Sequence, residues 1–452
     1  MRMRDAGANR PARARRMTRG WLPKAPRLAT LYSSGARGAF LRCGPIAMPA
    51  PPPPLPEGPP PLPEVASNAA RFHALDSLRA AAMLLGVYLH AAISFMTLNI
   101  PDWAAQDVKR HPVFDLSVGV IHGFRMQLFF LIAGFFGHML LERLGRDAFI
   151  AHRAKRIGLP FVLGLVTISP LVGLAWSMDK GWLAKFFAGG FIISVFIPWH
   201  LWFLYYLCIV YAAAAGLGAL LAKPGAREFA TSLDRAFGAV AGKLWTPFLL
   251  AVPAFLLLLT SRQWGEIEPM PGVSLLPSPR ALVYYGMFFG FGWFLHRHVE
   301  LLDAIKRQAW ICAVLAIPFW LMHAGALVAQ GTAPKLLHPA LKAQACLGSA
   351  LYAWLATFGV MGLFLRFADV SRPWIRYLSD SAYWVYLAHL PVVVMLQVLV
   401  SKWQMNVFAK FALLMTIALA VLYGSYHWCV RYTVVGTLLN GPRSRDCTPT
   451  QS

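Results

Sequence analysis

His90, His122 and Arg125 stand inside two long apolar stretches, residues 75–97 and 115–141. Polar side chains are costly in such runs and are candidates for function by default. On two antiparallel helices, His90 lies about seven residues below one end and Arg125 about ten below the same end, so His90, His122 and Arg125 reach similar depth. An imidazole with an ordinary pKa near 6.5 takes a proton readily at neutral pH. A guanidinium stays charged and suits an anionic ligand or an oxyanion. The set fits an anionic ligand or a developing negative charge, with Arg125 facing that charge and His90 able to serve as general base. Ser94, one turn beyond His90, is a candidate nucleophile, although helix serines commonly bond their own backbone.

Other residues add weaker signals. Asp76 and Arg79 share the helix face of His90, about 40° and 20° from it, and Asp76 sits about 21 Å away at the other end of the helix. Arg153 and Arg156 flank Ala154-Lys155. On a helix, positions i and i+3 are neighbours, so the two guanidinium groups are placed for one phosphate fork. His200 opens a fourth apolar run beside Trp199. Tyr383, Tyr386 and His389 follow at three-residue steps in the ninth run. Asp380, nine residues before His389, falls on the opposite face, so a direct pair is not expected. His323, alone among apolar neighbours, reads as structural.

The elements that must position these groups follow from composition. The chain has 452 residues, 58% hydrophobic and 13% charged, with a mean hydropathy of +0.53. Ordinary soluble domains are about 45–50% apolar and about 25% charged. This balance excludes a disordered chain, a collagen and a disulfide scaffold, and indicates an all-α polytopic membrane helix bundle. Ten apolar runs are expected to be transmembrane helices: 75–97, 115–141, 157–177, 199–222, 244–260, 281–295, 309–329, 343–365, 377–401 and 408–431. The segment 186–198 reads as interfacial or re-entrant. With both termini cytoplasmic, the inner loops carry fifteen Lys and Arg against nine in the outer loops, as the positive-inside rule requires. The net charge of +23 owes much to residues 1–47, with ten Arg, one Lys and one Asp, so nucleic acid is not the expected partner. Six cysteines form no CxxC pair, and neither a disulfide framework nor a thiolate metal site is expected. Residues 1–70 read as a disordered Arg- and Pro-rich tail, 71–432 as the membrane domain and 433–452 as a short polar tail.

The stretches HALDSLRAAAMLLGVYLH (73–90), IHGFRMQLFFLIAGFFGHML (121–140), AHRAKRIGLPFV (151–162), HLWFLYYL (200–207) and SAYWVYLAHLPVV (381–393) resemble the acyltransferase 3 family of multi-span membrane acyltransferases, in the branch that places succinyl groups on glucans. The resemblance covers roughly residues 71–432. It implies transfer of a succinyl- or acetyl-type group from cytoplasmic acyl-CoA to a hydroxyl of a periplasmic or extracytoplasmic glycan, by a multi-pass protein of the inner membrane. By position, His90 looks like the family's first-helix catalytic histidine. Arg153 and Arg156 look like its Arg-x-x-Arg element, facing the CoA phosphates. Arg125, His200, Tyr386 and His389 fall in other family-typical stretches, and Asp76, Arg79, His200, Tyr386 and His389 are expected with Arg153 and Arg156 in the set that binds substrate or acyl-CoA. Acyl-CoA enters as co-substrate, with no bound cofactor expected; the glycan and the lipid bilayer are the other partners. Two rival readings remain on the residues alone. One is a transporter or flippase for an anionic or lipid-linked sugar; the other is a b-type haem protein using His90 and His389.

Overall fold

The computed structural model describes residues 66–441, apart from 101–102, 271–274 and 370–371. Most of the two expected tails, 1–65 and 442–452, lies outside the described residues. In chain order the helices are α1 (Ala66–Ile93), α2 (Pro112–Leu144), α3 (Arg146–Arg153), α4 (Leu159–Asp179), α5 (Leu183–Lys185), α6 (Phe191–Val195), α7 (Trp202–Leu221) and α8 (Pro224–Val240). They continue as α9 (Thr246–Leu259), α10 (Pro279–Arg297), α11 (Leu301–Gln330), α12 (His338–Phe367), α13 (Pro373–Val400), α14 (Val407–Ser425) and α15 (Val434–Asn440). No strand occurs among the described residues.

Each of the ten apolar runs is a helix: α1, α2, α4, α7 and α9 to α14. Against the ten spans expected, seven helical segments among the described residues, which include α2, α4, α7 and α11 to α14, are long and apolar enough to cross a membrane. Helices α1 and α10 are not among them, and α9, with 14 residues, is shorter. The all-α membrane bundle read from composition is the architecture found. Large apolar side chains such as Phe187, Ile192, Val314 and Ile317 are exposed, as they would be against lipid and would not be tolerated over such an area in water. The most apolar window of α12 is 78% buried and that of α11 only 17%, which puts α12 at the centre and α11 at the lipid-facing rim.

Close helix contacts rest on small residues, as membrane packing favours. Gly134 of α2 lies against the Phe289 carbonyl of α10, and Gly292 of α10 lies against the Leu131 carbonyl of α2, with no room for a Cβ at either. Segment 186–198 is not one helix: it breaks at Gly189, whose φ is 144°. The loop expected over 223–243 is largely the helix α8. It buries no residue and leaves Phe229 and Leu233 exposed, the pattern of a helix lying in an interface.

Candidate active site

A cavity of about 760 Å³ is lined by six of the ten residues expected above to act in catalysis or substrate binding: His90, His122, Arg125, His200, Tyr386 and His389. Aromatic side chains surround them, among them Trp103, Trp176, Trp199, Trp202, Tyr284, Tyr285 and Tyr352. The lining reaches Leu98, Ile100 and Asp115, at the end where α1 stops and α2 begins.

His90 sits in the last turn of α1, where backbone carbonyls lack intrahelical donors. Gln397 of α13 supplies them: its Nε2 donates to the carbonyls of His90 (2.8 Å) and Ala91 (3.0 Å). Its Oε1 accepts from Trp103 Nε1 at 3.1 Å. Trp103 in turn lies parallel to the His90 ring, centroids 5.8 Å apart at 6°. One glutamine thus fixes both the backbone of His90 and the indole stacked on it.

His200 and His389 are oriented by α13 itself. Pro391 lies inside that helix and has no N–H, so the carbonyl four residues earlier, Leu387, loses its helical partner. His200 Nε2 lies 3.1 Å from that oxygen. The Tyr386 hydroxyl donates to the His200 carbonyl at 2.6 Å, and His389 Nδ1 lies 2.6 Å from the Tyr386 carbonyl. A carbonyl can only accept, so His200 carries its hydrogen on Nε2 and His389 on Nδ1. Their remaining nitrogens, with His90 Nδ1 and Arg125 Nε, are buried without a hydrogen-bond partner among the described residues. The rings form a cluster, with centroids 5.2 Å apart for His90 and His389 and 4.9 Å for His200 and His389. Next to His200, Trp199 adopts φ 43°, a region that bulky residues rarely enter and that marks stored backbone strain at functional sites.

Arg125 is buried, and its guanidinium lies against Gly86 of α1, where a methyl group would collide with Nη1. No carboxylate stands within ion-pair reach of it among the described residues. Its charge therefore remains available to a negative group entering the cavity.

The other four of those ten residues do not line this cavity. Asp76 and Arg79 pair at 3.1 Å, and Arg79 donates to Ser379 at 2.8 Å. Arg153 lies over the Tyr211 ring at 4.6 Å and the Phe149 ring at 5.5 Å; Arg156 lies beside Gly441. The two arginines thus have different neighbours. A π-helical segment, Ala154–Gly158, follows Arg153, and its wider turn moves side chains off the α-helical i, i+3 register. Arg79 and Arg153 do converge, since both reach Phe136: Arg79 over its ring at 5.9 Å, Arg153 at its carbonyl at 3.5 Å. Tyr383, one turn before Tyr386, donates to the Arg156 carbonyl at 2.8 Å, so α13 touches both groups. Ser94 donates to the Ala105 carbonyl at 2.7 Å and is a buried loop tie. His323 bonds the Ala345 carbonyl at 3.0 Å, yet it also lines the cavity.

Sequence reasoning missed Trp103, Gln397 and the part played by Pro391. Only Pro391 carried a local signal, the carbonyl it frees four residues back. Gln127, which donates to the Tyr284 hydroxyl at 3.2 Å, and Glu266 also line the cavity.

A multi-pass membrane protein built of helices, with histidines and one arginine gathered in a buried aromatic cavity, is the class that fold and site define. The chain belongs to the acyltransferase 3 family, whose acyltransferase-domain model matches residues 72–427. It is also similar to the proteins named Glucans biosynthesis protein C of Salmonella paratyphi B, Salmonella heidelberg and Salmonella enteritidis. Each is 31% identical over 155 residues, which is 33% of this chain and 39% of the relative. The match thus spans well under half the length of these relatives. No solved structure matches the chain.

Proposed function

We propose that the protein is an O-acyltransferase of the inner membrane. It moves a succinyl- or acetyl-type group from cytoplasmic acyl-CoA to a hydroxyl of an extracytoplasmic glycan, with a glucan as the favoured acceptor. The observation that carries this reading is the cavity in which His90 Nδ1, His200 Nδ1, His389 Nε2 and the Arg125 guanidinium all have unmet hydrogen-bonding capacity. Its indole and phenol rings suit the apolar faces of a sugar, and the name of the similar relatives points to glucans.

In this mechanism the acceptor hydroxyl lies near His90, which takes its proton as the oxygen attacks the thioester carbon. Arg125 holds the oxyanion of the tetrahedral intermediate. The C–S bond then breaks, the ester forms, and the proton on His90 passes to the departing CoA thiolate. His389 and His200, each held as a hydrogen-bond acceptor by its own carbonyl contact, keep the hydroxyl and the His90 ring in register. Arg153 and Arg156, with Arg79 nearby, bind the nucleotide end of the donor, and the pantetheine arm runs along α13 between the two groups.

Purified protein given acyl-CoA and a glucan should release free CoA in step with acylated glucan. Arg153→Ala with Arg156→Ala should raise the KM for acyl-CoA and leave the KM for glucan unchanged. A protein that moves the sugar across vesicles without consuming acyl-CoA would be a transporter, and the proposal would fall.

Gly86→Ala gives a more local test. The new methyl collides only with the end of a flexible side chain, and alanine favours the helix by up to about 1 kcal/mol. The variant should fold normally while Arg125 is pushed off its position. The expected loss in kcat is up to about 10²-fold, the scale of losing one oxyanion contact. Unchanged kcat would remove Arg125 from this role.

A further inference from the structure

The tight contact of α2 with α10 holds a second polar cluster that the acyl-transfer reading does not use. His138 and Glu142 are one turn apart on α2 and face one way. His296, from the last turn of α10, meets them. The two imidazole Nδ1 atoms stand 3.1 Å apart. Glu142 places Oε1 3.5 Å from His138 Nδ1 and Oε2 3.5 Å from His296 Nδ1. None of the three lines the cavity.

We propose that His138, Glu142 and His296 form a binding site for a divalent transition-metal ion of the zinc type. Bonds of about 2.0–2.2 Å from Zn²⁺ to imidazole nitrogen and carboxylate oxygen put neighbouring ligand atoms of a tetrahedron about 3.3–3.5 Å apart. The two Nδ1 atoms, 3.1 Å apart, stand close to that spacing and face each other. Glu142 has a different oxygen 3.5 Å from each. With one donor atom taken from each side chain, all three lie within 4.8 Å of one another, so a turn of the carboxylate brings one oxygen to the third corner. A nitrogen, nitrogen, oxygen donor set suits zinc-like ions over magnesium or calcium. Its single negative charge offsets half that of the ion.

The arrangement is set by the backbone and by packing. The glycine contacts of Gly134 and Gly292 fix the spacing of the two helices. Trp293 packs edge-on against His138 at 5.0 Å, and Phe135 packs edge-on against His296 at 5.0 Å. The nearest cation on α10, Arg297, is held by Asp234 at 2.7 Å, and Arg143 is exposed. Glu142 is 56% exposed, which leaves an aqueous approach for the ion and a fourth position for water.

The test uses the full-length protein in detergent, without a polyhistidine tag, stripped with chelator and titrated with Co²⁺. About one equivalent should bind with the visible absorption of a four-coordinate cobalt ion, and Zn²⁺ should displace it. Glu142→Gln, at a half-exposed position where folding is least at risk, should weaken Co²⁺ binding at least about tenfold. His138→Gln with His296→Gln should abolish the absorption. Absence of saturable uptake by the parent protein would overturn the proposal, and so would uptake of equal strength in the variants. Neither outcome depends on acyl transfer.

Discussion

Replacing His90 with alanine is expected to lower acylation by about two to four orders of magnitude, while the protein remains folded in detergent. The magnitude follows from the proton. A hydroxyl attacks a thioester slowly unless a base removes its hydrogen as the bond forms, and His90 presents a nitrogen that nothing else engages. The variant retains the backbone hydrogen bonds from Gln397, so the helix end and Trp103 stay in place. What is lost is the ring between Trp103 and His389. His389→Ala provides the comparison. Its Nδ1 hydrogen is committed to the Tyr386 carbonyl, so His389 can accept a hydrogen bond but is placed to orient rather than to shuttle. Its loss should be smaller than that of His90. Initial rates of CoA release by both variants decide the matter. A His90→Ala protein within about tenfold of the parent would move the general base elsewhere, with His389 the next candidate.

Much of this arrangement was legible in one dimension. Lipid thickness forces apolar runs of a set length, and all ten runs are helices. The cost of burying a cation made Arg125 stand out, and simple depth counting placed it level with His90 and His122; all three line one cavity. His200, Tyr386 and His389 joined them from family-typical stretches. What was hidden depends on pairing between distant segments. Trp103 in a loop, Gln397 on α13 and His90 on α1 meet only after the helices pack, and no local pattern ties those positions together. Two local rules meet backbone that differs from what they assume. The i, i+3 fork of Arg153 and Arg156 presumes α-helical winding, which the π segment after Arg153 does not keep. The segment 223–243 falls between two apolar runs and reads as a loop, yet an amphipathic helix at an interface needs only one apolar face.

Lys410→Met should destabilise the protein by about 3–5 kcal/mol, because it strands a buried carboxylate. Lys410 is 0% exposed and Asp107 1%. The ammonium meets both Asp107 oxygens at 2.9 Å and the Trp403 carbonyl at 2.6 Å, so all three of its hydrogens are used. Asp107 in turn binds the loop: its N–H donates to the Ser94 carbonyl at 2.9 Å and its carboxylate accepts from Lys109 N at 2.7 Å. That same loop carries Trp103 to the face of His90. Loss of the pair should therefore lower activity as well as stability, although neither residue lines the cavity. The sign of the second substitution separates a stranded charge from lost packing. Lys410→Met combined with Asp107→Leu removes both ions and should recover much of the lost stability, since two apolar groups replace a pair whose desolvation was costly. If lost packing were the cause, the double variant would be the less stable of the two. Thermal unfolding of parent, single and double variants in one detergent gives the answer, and a single variant as stable as the parent would refute the role assigned to the ion pair.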